Sequence, residues 1–136
     1  WMQNVGMNIA DKHRLYEEIY RVLKPGGRFA FQEMVAGKMP TTLFPLPWAS
    51  TPDEQFLASF EATNELLTQV GFIAEYFEDV STAPLPEPAS GTPEGVVQAP
   101  LSLSVYVDNL AQKAENAMHS IREHQIRLVR GVFRAQ

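Results

Sequence analysis

A helix that ends at a proline and two glycines, directly before an apolar segment, is the feature that most constrains the fold of this chain. Residues 11–23 (DKHRLYEEIYRVL) carry apolar side chains at the spacing of an amphipathic helix. Pro25 cannot continue a helix, and Gly26 or Gly27 can take the positive φ that ends one. Three consecutive apolar residues (FAF) follow, which is typical of a strand buried on both faces.

A strand before this helix would complete a strand–helix–strand unit. The first residues (WMQNV, 1–5) suit the end of a strand, and Asn8 or Asp11 can cap the helix that follows. Because a helical crossover joins parallel strands, we expect residues 1–5 and 28–34 to form a parallel pair. The two glycines lie where a helix ends, and this electronegative end repels phosphate. We therefore interpret them as a turn and not as a phosphate-binding loop.

The rest of the chain continues the alternation of helices and strands. Apolar spacing predicts two more helices and two more strands, over residues 53–70 (helix), 72–78 (strand), 105–123 (helix) and 126–133 (strand). This alternation is typical of an α/β fold with helices around a mainly parallel sheet. A length of 136 residues suits one domain, so we predict a single α/β domain over residues 1–136.

Two long loops interrupt this pattern. Residues 35–53 include FPLPWA, whose prolines exclude a central strand. We interpret this segment either as an apolar flap over a site or as a loop packed on the domain surface. Residues 79–101 hold five of the ten prolines, and we predict a proline-rich loop there.

The composition excludes several functional classes. The chain has no cysteine, which excludes disulfides, thiolate catalysis and cysteine metal sites. Its net charge of −5 argues against general nucleic-acid binding. No apolar run is long enough for a membrane helix, and the N-terminus lacks the pattern of a signal peptide. We therefore predict a cytoplasmic protein that binds neither nucleic acid nor membrane.

No cluster of reactive side chains stands out. His119 and His124 are five residues apart and face different sides of a helix, so we predict no metal site. No serine lies in a nucleophile-elbow motif, and adjacent carboxylates are expected to be solvated. Arg127 and Arg130 would lie on opposite faces of a strand, which favours a solvated edge over a basic patch. No catalytic residue is assigned.

Position in the sheet points to a candidate small-molecule site. Ligands of open α/β sheets bind outside the carboxyl ends of the strands. The polar, apolar and aromatic side chains expected at this edge are Gln3, Asn4, Met7, Asn8, Glu33 and Trp48. For the two asparagines, capping and turn formation are the alternative.

The segment NIADKHRLYEEIYRVLKPGGRFAFQEM (residues 8–34) resembles the central part of class I S-adenosylmethionine-dependent methyltransferases. In that family an acidic residue, a helix, R-V-L-K-P-G-G and the fifth strand follow one another. WMQNVGMNIADK, FPLPWA, VGF and IRLVRGVFRAQ are similar to the small-molecule branch, which includes enzymes of the sarcosine/dimethylglycine and ubiquinone-biosynthesis types. The resemblance covers nearly the whole chain.

This resemblance implies a partial Rossmann-like methyltransferase sheet. The strand order would be 4-5-7-6 with the last strand antiparallel, and the strands in chain order would be residues 1–5, 28–34, 72–78 and 126–133. It also implies that the family's first three strands, its glycine-rich cofactor loop and its ribose-binding acid are absent from this chain.

The resemblance further implies S-adenosylmethionine as cofactor. Gln3, Asn4 and Met7 match the region beside the methyl group, and we predict that they bind the cofactor. Glu33 and Trp48 are the predicted substrate-binding residues.

Two functions follow as hypotheses. The chain is either the C-terminal fragment of a small-molecule methyltransferase, inactive alone, or a non-catalytic α/β binding or assembly module. In both cases absent strands would expose a sheet edge, so we predict a homodimer or larger assembly through residues 1–7.

Overall fold

The computed structural model describes residues 1–82 and 108–136. In these ranges four strands form one sheet and three α-helices pack against it. The strands are β1 (Met2–Gln3), β2 (Arg28–Ala36), β3 (Phe72–Asp79) and β4 (Ile126–Ala135), and the helices are α1 (Lys12–Val22), α2 (Phe60–Val70) and α3 (Leu110–Arg122). The predicted α/β class is confirmed.

The sheet has the order β1-β2-β4-β3. The pair β1–β2 is parallel, and β4 lies antiparallel between β2 and β3. Strands β1, β2 and β3 therefore share one direction, and the last strand of the chain opposes them. The predicted order, with an inserted antiparallel last strand, is confirmed.

The junction between α1 and β2 forms as predicted. The Asp11 carboxylate accepts a hydrogen bond from the Arg14 N–H at 3.0 Å, so Asp11 and not Asn8 caps the helix. Gly26 has a φ of 75°, and its N–H donates to the carbonyl of Ala135 at the end of β4. The two-glycine segment is a turn held against the sheet before β2, at the edge opposite the carboxyl ends of the parallel strands β1 and β2.

Helix α2 begins later than the predicted range of 53–70. It starts at Phe60, where the Ser59 hydroxyl accepts a hydrogen bond from the backbone of the first turn. Before it, the Phe56 N–H donates to the carbonyl of Met7 at 2.9 Å. A helix from residue 53 would use this N–H internally, so pairing with a distant segment delays the helix.

The second predicted loop and the start of the next helix lie largely outside the described residues. Of residues 79–101, the structure describes 79–82, where β3 ends and a turn begins. Of the predicted helix 105–123, it describes α3 from Leu110 to Arg122.

The main core lies between α1, α2 and one face of the sheet. Its buried members include Tyr16, Phe29, Phe31, Leu67 and Phe133. The rings of Phe31 and Phe133 stack across the β2–β4 pair with centroids 5.8 Å apart. This core sets the position of β2, whose buried face also carries Glu33.

The Glu33 carboxylate holds the segment that follows β1. Glu33 is 4% exposed and accepts hydrogen bonds at 2.9 Å from the N–H groups of Val5 and Gly6. A Cβ at residue 6 would lie 3.1 Å from a carboxylate oxygen, which is why this close approach suits glycine. Burial raises the pKa of Glu33 above the ordinary value, and the backbone N–H groups and the charge of Lys12 offset part of this rise.

The Lys12 ammonium binds the same segment through its carbonyls. Its Nζ donates to the carbonyl oxygens of Gly6 at 2.7 Å and Phe56 at 2.5 Å, and also to that of Ile9. Burial lowers the pKa of Lys12, and the nearby Glu33 opposes this shift. We name this pair and its backbone partners the Glu33–Lys12 clamp.

Replacing Lys12 by Met tests the contribution of the clamp to stability. The substitution keeps the length of the side chain but removes the ammonium that donates to three backbone carbonyls, of which only that of Gly6 keeps a further donor, the Ile9 N–H. We expect the free energy of unfolding in urea to fall by about 1–3 kcal/mol. The matched control is Lys24→Met, which removes an exposed lysine beyond the end of α1 and should change stability by less than about 0.5 kcal/mol. Equal losses in the two variants would contradict the clamp.

The raised pKa of Glu33 predicts a pH dependence. The folded chain binds the Glu33 proton more tightly than the unfolded chain, whose carboxyl keeps the ordinary value of 4.5. The tighter binding of this proton adds to the free energy of unfolding below pH 4.5, and the contribution is lost as pH rises through the folded-state pKa of Glu33. Glu33→Gln removes the titrating carboxyl, so the free energy of unfolding of the wild type minus that of the variant should fall with rising pH. Urea unfolding at a series of pH values measures this difference, and a constant or rising difference would overturn the assignment.

Candidate functional site

A pocket of about 620 Å³ opens beside the carboxyl ends of β1 and β2. Four parts of the chain form its wall: the segment after β1, the second half of β2, the FPLPWA loop and α3. The lining residues are Asn4, Met7, Asn8, Met34, Pro47, Trp48, Ala114, Ala117, Met118 and Ile121. Ligands of open α/β sheets bind at this edge, so the pocket is the candidate functional site.

The segment after β1 turns sharply into the pocket. Asn4 has a left-handed φ of 52°, and its N–H donates to the carbonyl of Gln32 at 2.9 Å. A short 3₁₀ turn, Gly6–Asn8, follows and buries Met7 to 2% exposure. The Glu33–Lys12 clamp binds this turn from both its N–H and its carbonyl side, which holds Met7 against the pocket.

The FPLPWA loop forms the opposite wall through anchors on both sides of Trp48. Leu46 is fully buried beside Ile126, and Ala49 is 4% exposed. The Asn116 side-chain amide of α3 donates to the carbonyl of Pro45 at 2.9 Å. The loop therefore packs on the domain, as one of the two interpretations has it, and it also lines the candidate pocket.

Helix α3 contributes a part of the pocket wall whose residues the sequence does not identify as candidate site residues. Ala114, Ala117, Met118 and Ile121 recur at helical spacing and were visible as one apolar face. That spacing predicts a buried face but does not say which element covers it. Met34 was missed because a single apolar residue in a strand carries no signal for a ligand.

The structure brings four of the six candidate residues together. Asn4, Met7, Asn8 and Trp48 all line the pocket. Their predicted roles in binding the cofactor or the substrate stay predictions.

The other two candidates lie outside this pocket. Gln3 is exposed and pairs in register with Gln32, and it is not a lining residue. The Glu33 carboxylate is committed to the backbone N–H groups of the clamp. The geometry therefore supports a role for Glu33 in positioning the segment after β1, and gives no support to its predicted contact with substrate.

The electrostatics of the pocket are simple. None of the lining residues that the structure describes is charged.

Within residues 1–82 and 108–136, no three histidine or acidic side chains are grouped so that they could hold a metal ion. In the same ranges no helix has the length and apolar character needed to cross a membrane.

The C-terminal arginines contact neighbouring strands instead of forming a patch. Arg127 lies 3.6 Å from the carboxylate of Asp79, and Arg134 lies 3.2 Å from that of Glu75. Arg130 donates to the Gln32 side chain at 2.9 Å. These contacts tie β4 to both of its neighbours, and because β4 lies inside the sheet, its arginines do not form the predicted solvated edge.

Comparison with known proteins gives a result only at the level of structure. No family model matches the chain, and no curated protein matches it in sequence. Geranyl diphosphate C-methyltransferase from Streptomyces coelicolor A3(2) superimposes on 98% of this chain and 44% of its own, with a TM-score of 0.68 and 16% identity. A Galdieria sulphuraria protein provisionally described as a sarcosine dimethylglycine methyltransferase matches 97% of this chain and 50% of its own, with a TM-score of 0.64 and 14% identity.

A third similar structure is phosphoethanolamine N-methyltransferase 2 from Haemonchus contortus. It covers 98% of this chain and 32% of its own, with a TM-score of 0.64 and 17% identity. The chain thus spans between about a third and half of the length of these proteins. Together with the strand order β1-β2-β4-β3, the superpositions lead to one conclusion: the chain has the fold of part of an S-adenosylmethionine-dependent methyltransferase.

Proposed function

We propose that this chain is the C-terminal part of an S-adenosylmethionine-dependent methyltransferase that acts on a small molecule. One observation carries the proposal: a pocket of about 620 Å³ lies at the strand ends of a methyltransferase-type sheet, between Met7 and Trp48. Two of the similar structures hold S-adenosylhomocysteine, which supports the same cofactor here. Their names refer to chemically different acceptors, so the likeness supports a reaction class and not a substrate.

The residues of this chain fit only the methyl-bearing end of the cofactor. Asn4 offers an amide and Met7 an apolar surface at the pocket wall. The sequence contains no pair of glycines separated by one residue, the spacing at the start of the loop that binds the rest of such a cofactor. We propose that the chain alone binds S-adenosylmethionine weakly and is inactive.

The chain would contribute to catalysis by alignment and by excluding water. When bound, S-adenosylmethionine supplies an electrophilic methyl group. Trp48 and the apolar face of α3 would exclude water from the acceptor, while the clamp keeps Met7 and Asn4 in place. Orientation and desolvation are large contributions to a transfer of this kind, so a dedicated general base is not required.

The proposal is tested by extending the chain. We expect the DNA before the Trp1 codon to continue the reading frame into a glycine-rich strand–helix unit. The extended protein should bind S-adenosylmethionine in the micromolar range by calorimetry, and the 136-residue chain should bind about 100-fold more weakly or not at all. Micromolar binding by the short chain would contradict its proposed inability to hold the cofactor.

A variant of the extended protein tests the pocket wall itself. Asn4→Gly removes the amide while keeping the positive φ, and we expect about a fivefold loss of cofactor affinity. Asn64→Gly on α2, outside the pocket, is the control and should leave the affinity unchanged.

A start codon at or just before Trp1, with no cofactor binding, would instead favour a non-catalytic binding or assembly module.

We also propose that the free edge of β1 pairs with a second copy of this chain. Strand β1 lies at the edge of the sheet, where Trp1 is 80% exposed and Val5 43% exposed. Light scattering of the 136-residue chain at micromolar concentration should give the mass of a dimer or larger assembly. Trp1→Ser should shift it toward the monomer, whereas Val22→Ser, which removes an apolar residue of α1 that is 67% exposed, should not. A monomeric wild type would contradict the proposal.

A further inference from the structure

We infer that the methyl acceptor is an uncharged, largely apolar molecule whose one hydrogen-bonding group lies toward Asn4 and Asn8. The inference rests on the proposed function only where it calls the occupant the methyl acceptor. The preference of the pocket for an uncharged apolar molecule follows from its wall and can be measured without the cofactor.

The part of the wall formed by residues 1–82 and 108–136 offers no counter-charge to an ionic acceptor. Among residues 1–82 and 108–136, the ten side chains that line the pocket are apolar or amide groups. The nearby charges of Glu33 and Lys12 are already bound to backbone groups of the clamp. A charged group placed between Trp48 and the apolar face of α3 would lose hydration without gaining an ion pair there, which disfavours carboxylate, phosphate and ammonium acceptors.

The apolar part of the wall suits a bulky hydrocarbon or aromatic body. Met7, Met34 and Met118 reach the pocket from three different elements, and Trp48 supplies an aromatic surface. Methionine side chains adapt to irregular shapes and make favourable contacts with rings. A volume of about 620 Å³ is within the range of pockets that enclose small organic ligands.

The polar groups are confined to one side of the pocket. Asn4 and Asn8 both belong to the segment after β1, and each amide can donate and accept a hydrogen bond. This side is also where the proposed cofactor residues lie. A hydroxyl or carbonyl of the acceptor would therefore be oriented toward the methyl donor, with the apolar body against α3.

A matched set of naphthalene probes tests the preference. The probes are 2-naphthylmethanol, 2-naphthoate and 2-naphthylmethylammonium, which share one ring system and differ in charge. Binding is followed by NMR of ¹³C-labelled methionine methyl groups in the chain. We expect Met7, Met34 and Met118 to shift, whereas Met2 in the main core and Met39 on the surface stay unchanged.

The neutral probe should bind at least about tenfold more tightly than either charged probe. Equal or tighter binding of a charged probe would overturn the inference. So would the absence of shifts in the three pocket methionines with all three probes at about 1 mM, where even weak ligands are detected.

A charge placed in the wall should reverse the preference. In Met118→Lys we expect 2-naphthoate to bind more tightly than 2-naphthylmethanol. The control is Gln112→Lys, which adds the same charge to an exposed position of α3 outside the pocket and should keep the wild-type order. If Met118→Lys does not fold, the wild-type probe series still decides.

These outcomes are separable from the proposed function. Failure of the extended protein to bind S-adenosylmethionine would end the methyltransferase proposal while leaving the probe preference in place. A preference for charged probes would end the present inference and leave cofactor binding untouched.

Discussion

The Glu33–Lys12 clamp is the interaction on which the arrangement of the site depends. Backbone hydrogen bonds satisfy only some groups of the segment between β1 and α1, and side chains bind the N–H groups of Val5 and Gly6 and the carbonyl of Ile9. One buried carboxylate takes the N–H groups and one ammonium takes the carbonyls. Because Lys12 also reaches Phe56, the same contacts hold the segment before α2 and delay the start of that helix.

The pocket lies between two walls that are held in different ways. Hydrogen bonds and charge fix the wall after β1, whereas apolar burial fixes the wall made by the FPLPWA loop and α3. Leu46 and Ile126 bury that second wall, and Asn116 adds one polar tie. In this arrangement the charged groups of Glu33 and Lys12 bind backbone groups outside the pocket lining. The lining residues that the structure describes present uncharged groups to a ligand.

The role of a residue that acts through its immediate neighbours can be predicted from the sequence. Asp11 caps α1 and Gly26 takes the positive φ, and each is one of the two residues that local chemistry predicts for its role. The role of a residue that depends on long-range pairing cannot be predicted in the same way. Helix α2 begins at Phe60 and not at residue 53. The Glu33 carboxylate accepts backbone N–H groups, and a carboxylate near a strand end has the same sequence signal whether it binds the backbone or a ligand.

The sequence by itself determined the element types, the turn at the two glycines and, through its resemblance, the order of the strands. These depend on periodicity and on backbone chemistry within a few residues. Only the tertiary structure decided that α3 and Met34 complete the pocket with Trp48, and that Glu33 belongs to a clamp. The physical reason is that an apolar face or a charged residue in the sequence indicates only that it will be buried or paired. Which element buries or pairs it depends on how distant parts of the chain pack against one another.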